Sequence, residues 1–184
     1  ALDAMGGDAA PDSVIYGAKE ALLRHPGLKF LIFGQAEAVN PVLKECPALQ
    51  EASEFIHTDD MVGNEDKPSQ AIRKGKNSSM RLAINAVGEG KAAAVVSAGN
   101  TGALMAMSKI VLKTLPGIHR PAIAALFPTM TGECVMLDLG ANVESDADSL
   151  FQFAVMGDAF ARAVLAHEKP KIALLNIGSE ELKG

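Results

Sequence analysis

Four segments combine glycine with small polar or charged side chains: Asp3-Ala-Met-Gly-Gly-Asp8, Ser97-Ala-Gly-Asn-Thr-Gly102, Asp138-Leu-Gly-Ala-Asn142 and Asn176-Ile-Gly-Ser-Glu-Glu-Leu-Lys-Gly184. Glycine lets a ligand approach the backbone closely, and a helix that begins at such a loop points unpaired N–H groups outward, a pairing suited to an anion. Residues 97–102 make the strongest case, because they join an apolar run to a helical pattern and carry no charge that would repel phosphate. A helix end contributes only about 0.3–1 kcal/mol to holding an exposed negative charge, so other groups have to help. Residues 67–81 offer a cationic source, with Lys67, Arg73, Lys74, Lys76 and Arg81 and no acidic residue. Read alone, that segment is a solvated helix face, a phosphate site or a dock for an acidic partner.

Other chemistries lack their residues. Gly75-Lys76 has neither the leading glycine nor the following Ser/Thr of a P-loop, and no G-x-G-x-x-G follows a strand pattern. Val95-Val-Ser-Ala-Gly99 lacks the first glycine of a nucleophile elbow. His25, His57, His119 and His167 are scattered, so neither a metal site nor a protein nucleophile is expected. Cys46 and Cys134 lie far apart, with no C-x-x-C, and read as inert thiols rather than a zinc site or a disulfide.

The elements that must position these loops alternate between apolar β-branched runs and helical patterns, the pattern of βα units around a largely parallel sheet. A strand is expected at residues 2–4. A helix over 13–24 places Val14, Ala18, Ala21 and Leu22 on one face, with Gly27 just past its end. Residues 28–33 read as a buried strand. Asn40 and Pro41 fit the N-cap and first position of a short helix reaching Cys46. Residues 54–57 are a weaker strand, and the acidic loop 59–66 leads to short helices starting near Pro68 and Ser78. The run 92–96 is too apolar for an exposed strand and should be buried, with a helix following over 103–114. Strands at 122–127 and 134–139 are too close for a crossover helix and should form an antiparallel hairpin. A long helix over 146–167 and a last strand at 172–176 complete a mixed sheet.

The chain has 184 residues, a length that fits one α/β domain over residues 1–184. Hydrophobic residues make up 48% of the sequence, yet the uncharged stretch 92–108 is broken by Ser97, Gly99, Asn100, Thr101 and Gly102, which argues against a membrane-spanning helix. The opening residues are not those of a signal peptide, and a cytoplasmic protein is the expectation. A net charge of −5, a single tyrosine and no tryptophan argue against a nucleic-acid surface. The abrupt ends lead us to expect a portion of a longer protein.

Six motifs in order resemble those of the phosphate acyltransferase family PlsX: Asp3-Ala-Met-Gly-Gly-Asp8 with Pro11, Lys76-Asn-Ser-Ser-Met80, Ser97-Ala-Gly-Asn-Thr-Gly-Ala-Leu-Met105, Arg120-Pro-Ala122, Leu137-Asp-Leu-Gly-Ala-Asn142, and Leu175-Asn-Ile-Gly-Ser-Glu-Glu-Leu-Lys-Gly184. The resemblance spans the chain, while family members are nearly twice as long. It implies a three-layer α/β/α Rossmann-like fold with a mixed sheet, similar to the isocitrate/isopropylmalate dehydrogenase and phosphotransacetylase folds. It also implies transfer of a fatty acyl group from acyl carrier protein to inorganic phosphate, without cofactor or metal. A homodimer and peripheral membrane contact would reside in the remaining portion.

On that reading Ser97, Asn100, Thr101 and the amides of Gly99 and Gly102 hold phosphate, with Lys76 and Ser78 also placed among the phosphate- or acyl-binding residues. Lys183, Asn142 and Asn100 are the catalytic candidates: Lys183 would neutralise charge and Asn142 would orient the thioester. Asp3, Gly6, Gly7, Asp8 and Asp138 would fix loops and donors. Met105 and Met107, with Leu104 and Ile110, are core residues first and a border for an acyl channel second. An acyl-CoA-dependent relative, a hydroxy-acid dehydrogenase and a non-catalytic module that binds carrier protein or anions are the competing readings. The dehydrogenase would need metal-binding carboxylates and a nicotinamide site, and neither is found in the sequence.

Overall fold

The computed structural model describes residues 1–140 and 145–175. They form two compact units, 1–113 and 114 onward.

In the first unit, β1 (Leu2–Asp3), β2 (Phe30–Gly34) and β3 (Ser53–His57) form a parallel sheet in the order β1-β2-β3. Side chains on a strand alternate between faces, and β2 uses both. Phe30 and Ile32 pack with Ile15, Ala18, Val39, Leu43 and Leu49, whereas Leu31 and Phe33 pack with Ala83 and Ala86. The first face is covered by α1 (Asp12–Arg24), α2 (Ala36–Lys44) and α3 (Pro47–Glu51), and the second by α5 (Ser79–Gly88). A third apolar cluster joins α4 (Pro68–Lys74), α5 and α6 (Thr101–Leu112) through Ala71, Met80, Ile84, Ala103 and Met107.

Two expectations fail here for identifiable reasons. Pro41 does not open a helix: it lies inside α2, whose N-cap is Gln35. Val39 and Leu43, one turn apart and both buried, carry the apolar stripe past the proline and keep the helix continuous despite its missing N–H. The segment 92–96 is not a buried strand. It makes one parallel bridge, Leu2 with Val96, and Val96 remains 61% exposed at the sheet edge. Val95 turns inward against Phe33, Ala83 and Ala86, so the run is apolar for one face only.

In the second unit, β4 (Ala124–Thr129) and β5 (Gly132–Leu137) pair as the expected antiparallel hairpin. The connection is tighter than expected, since Pro128 and Glu133 are themselves paired. α7 (Ala147–Leu165) follows, with Asp146 as its N-cap. Hydrogen bonds from Ser149, through its side chain and then its backbone N–H, hold the Asp146 carboxyl below the usual carboxylate range. At Gly157 a Cβ would lie 3.1 Å from Leu137, so the glycine lets α7 approach β5 closely. Residues 172–175 are not in a strand, and Asn176, the end of the expected last strand, lies outside the described residues. The described strands make two sheets, a parallel one of three strands and an antiparallel one of two.

Candidate functional site

Three chain segments meet past the carboxyl end of β1, the side of a parallel sheet where ligands bind. Their frame is a buried carboxylate. Asp3, 2% exposed, accepts hydrogen bonds from Ser79 Oγ at 2.6 Å and Met5 N at 3.3 Å through Oδ1, and from Ser97 Oγ at 2.7 Å through Oδ2. The Ser97 hydroxyl in turn accepts the Gly99 N–H at 3.2 Å. One carboxylate thus ties β1, the first turn of α5 and the loop before α6 together, and every buried side-chain polar atom described has a partner.

Two glycines let the loops touch. A Cβ on Gly6 would lie 2.7–2.8 Å from Asp3 Oδ2, Gly99 N and Ser97 Oγ, a distance real contacts do not show. Gly7 takes φ +101°, in the left-handed region that favours glycine, with Ala98 O 3.1 Å from where its Cβ would be.

Above this frame lies an open cleft of about 420 Å³, lined by Gly7, Asp8, Asn64, Ala98, Gly99, Asn100, Thr101 and Gly102. The N-terminus of α6 faces it. Asn100 caps that helix, its Oδ1 accepting the Ala103 N–H at 3.0 Å and its carbonyl accepting the Leu104 N–H at 2.9 Å. The amides of Thr101 and Gly102 precede these bonds and have no hydrogen-bond partner among the described residues. A Cβ on Gly102 would come within 2.9 Å of Pro68, so this glycine brings the start of α4 against the start of α6.

The structure therefore gathers Gly7, Asp8, Gly99, Asn100, Thr101 and Gly102 around one cleft and puts Asp3, Gly6 and Ser97 directly beneath it. Four sequence candidates occupy other roles or places. Ser78 is fully buried: its Oγ donates to Gly75 O at 2.8 Å and accepts the Arg81 N–H at 3.3 Å as the N-cap of α5, leaving nothing for a ligand. The Ser97 hydroxyl gives its single proton to Asp3 and the Gly99 N–H goes to Ser97, so both are parts of the frame. Lys76 is exposed and does not line the cleft.

Asp138 belongs to the second unit, just past β5, at φ 63°, with Ser145 Oγ donating to its Oδ2 at 3.4 Å. Asn142 and Lys183, with the loop 176–184, lie outside the described residues. Met107 is fully buried with Ala103 and Ile84, and Leu104 packs against the same cluster, so these two are core residues; Ile110 is exposed. Cys46 is buried and Cys134 exposed, both free thiols.

The residue missed from sequence is Asn64. Its side chain donates to Asp8 Oδ1 at 2.5 Å across the cleft, and nothing in the periodicity of an acidic loop marks it out. Among the described residues no cluster of His, Cys, Asp and Glu could hold a metal ion, and no helix is long and apolar enough to cross a membrane.

Parallel strands with helices on both faces, and a glycine-bounded helix N-terminus at the rim, define the class: an α/β protein with an open cleft at a helix N-terminus. A family model described as "Fatty acid synthesis protein" matches residues 1–184, and the chain belongs to that family. It is 62% identical over 184 residues to a phosphate acyltransferase of Rhodospirillum centenum, covering all of this chain and 52% of that protein. It is 58% identical over 185 residues to one from Parvibaculum lavamentivorans and 56% over 183 residues to one from Paramagnetospirillum magneticum, covering 51% and 52% of those proteins. The chain thus spans about half the length of the curated relatives it matches.

Proposed function

We propose that the full-length protein carrying this chain is a phosphate acyltransferase, which moves a fatty acyl group from acyl carrier protein to inorganic phosphate and so supplies acyl phosphate for phospholipid synthesis. The observation that carries this reading is the family match over all 184 residues, with identities of 56–62% to proteins named phosphate acyltransferase. The cleft supports it, since phosphate oxygens suit the free amides of Thr101 and Gly102. The finer fold belongs to the same proposal: a three-layer Rossmann-like mixed sheet like those of isocitrate/isopropylmalate dehydrogenases and phosphotransacetylases.

The reaction needs no protein nucleophile. A phosphate oxygen attacks the thioester carbonyl, the tetrahedral oxyanion collapses, the C–S bond breaks, and the carrier leaves as thiolate, a tolerable leaving group at a thiol pKa of ~8.5. The protein supplies positioning, with about 7–11 kcal/mol available to a well-built site, and oxyanion donors at about 2.7–4 kcal/mol each. Lys183 is assigned to charge neutralisation and Asn142 to orienting the thioester. The protein works at the cytoplasmic face as a homodimer with peripheral membrane contact.

The test follows free thiol when the full-length protein meets palmitoyl-ACP with and without phosphate, and then palmitoyl-CoA. Phosphate-dependent release from palmitoyl-ACP is expected. Release from the CoA ester alone would make the protein a CoA-dependent relative, and no release from either would leave a binding module.

The carrier is acidic, and this chain offers exposed Lys67, Arg73, Lys74 and Lys76 on and beside α4, none in an ion pair among the described residues. Reversing charge at Arg73 and Lys74 is expected to raise the KM for acyl-ACP by about tenfold at low salt, and less at high salt. A KM unmoved at either ionic strength would remove this surface from carrier docking.

A further inference from the structure

We propose that Asn100 is a positioning residue, one that clamps the loop 63–66 onto the N-terminus of α6 and thereby shapes the rim that phosphate meets. The inference deepens the phosphate-cleft reading and rests on it. The side-chain nitrogen of Asn100 lies 3.2 Å from Gly63 O, 2.9 Å from Asn64 O and 2.8 Å from Asp66 O. A primary amide has two N–H groups. Three carbonyl oxygens therefore saturate them, and no donor is left for a thioester carbonyl or a phosphate oxygen.

The other end of the side chain is committed as well, with Oδ1 on the Ala103 N–H at 3.0 Å. One carboxamide thus does two jobs: its oxygen caps α6 and its nitrogen gathers a loop 34–37 residues earlier in the chain. The cap alone does not require asparagine, because aspartate and serine cap equally well. Only the nitrogen explains the choice. Aspartate would turn a carboxylate toward three carbonyl oxygens and place a negative charge at the mouth of an anion cleft, while serine could not reach all three.

The loop it holds follows Val62, which is buried beside Ala103 and Met107, and the Asn100 amide is the side chain that gathers its three carbonyls. The loop lies between β3 and α4, outside any ladder, with Gly63 N donating to Asp66 Oδ2 at 2.8 Å as a local turn. It nevertheless carries Asn64, which lines the cleft and donates to Asp8 on the opposite side. Releasing the clamp frees Asn64, and with it the Asp8 side of the rim.

The variants are Asn100→Ser and Asn100→Asp in the full-length protein; both keep a capping oxygen and both lose the two N–H groups. Hydrogen–deuterium exchange across residues 63–66 reads the clamp directly, and initial rates over a range of phosphate at saturating palmitoyl-ACP separate KM from kcat. Asn100→Ser is expected to speed exchange in that loop by about tenfold. It should raise the phosphate KM by about tenfold while kcat stays within about threefold. Asn100→Asp should match the exchange and raise KM further through its charge. Unchanged exchange in both variants would overturn the clamp; so would a collapse of kcat at constant KM, which would make the carboxamide a catalytic residue. If the wild-type protein shows no phosphate-saturable turnover, the functional reading fails, and exchange alone still judges the clamp. Should neither variant fold, wild-type exchange decides: the loop amides must open together with Ala103 N–H, and independent opening refutes the coupling.

Discussion

Alanine at Gly6 in the full-length protein is expected to cut phosphate-dependent turnover by about 100-fold, the penalty for misplacing groups in a site by about 1 Å. The added methyl carbon would stand 2.7–2.8 Å from three atoms at once, and none of them can step aside cheaply. Gly99 N is backbone. Asp3 Oδ2 and Ser97 Oγ are bonded to each other at 2.7 Å, and Asp3 is held again by Ser79. The loop 97–102 must move as a body, and the amides of Thr101 and Gly102 move with it. Overpacking of this kind costs about 1–3 kcal/mol of stability, so activity should suffer far more than folding. Gly17 is the natural control: it lies within α1 with nothing within 4 Å of its Cβ position. Alanine there should add about 0.5–1 kcal/mol of stability and leave turnover alone. A Gly6→Ala protein that turns over like wild type would show that the contact between the two loops does not govern the site.

The second large effect is on stability. Asp3→Ala leaves Ser79 Oγ, Ser97 Oγ and Met5 N without their acceptor, and Ser79 is only 1% exposed. Hydrogen bonds to a charged group are worth about 1.5–3 kcal/mol, and an orphaned buried donor costs about 1–3 kcal/mol. The serine hydroxyls can rotate toward other partners, so the net loss should be about 2–4 kcal/mol, a fall in melting temperature of roughly 4–16 °C. Asp3→Asn keeps the shape and one acceptor, and each hydroxyl can also accept from the new amide, so it should recover about half of that loss. A melting temperature within 2 °C of wild type for Asp3→Ala, on the scale of ~2–4 °C per kcal/mol, would mean that this carboxylate does not bind the frame together.

Much of the local structure was legible because it follows from short-range periodicity. Ala18 faces the core, with Val14 and Leu22 partly buried beside it, on a helix that runs Asp12–Arg24, within a residue of the expected range; the fully buried Ile15 was not among the residues expected on that face, and Phe30 to Phe33 alternate across β2. The hairpin was legible because six residues cannot hold a crossover helix. The loop 97–102 was legible as the lead into a helix, open at its surface, because glycine and small polar residues stand between an apolar run and a helix.

The order of residues along the chain thus determined most of the described helices and strands, and marked the loop that lies at the N-terminus of α6. Tertiary structure alone decided what each polar group in that loop does. Asp3 finds its partners 76 and 94 residues away, and Asn100 finds its carbonyls 34–37 residues back. Seen only in sequence, Ser97, Ser78 and Asn100 are three small polar residues with hydrogen bonds to give. In the fold, Ser97 and Ser78 have given them to the protein and the Asn100 side chain has no N–H left, while the amides of Thr101 and Gly102 at the same helix end keep theirs. The physical reason is that periodicity reports which face of an element is apolar, whereas a hydrogen bond depends on which distant donor and acceptor the completed packing brings within 3 Å.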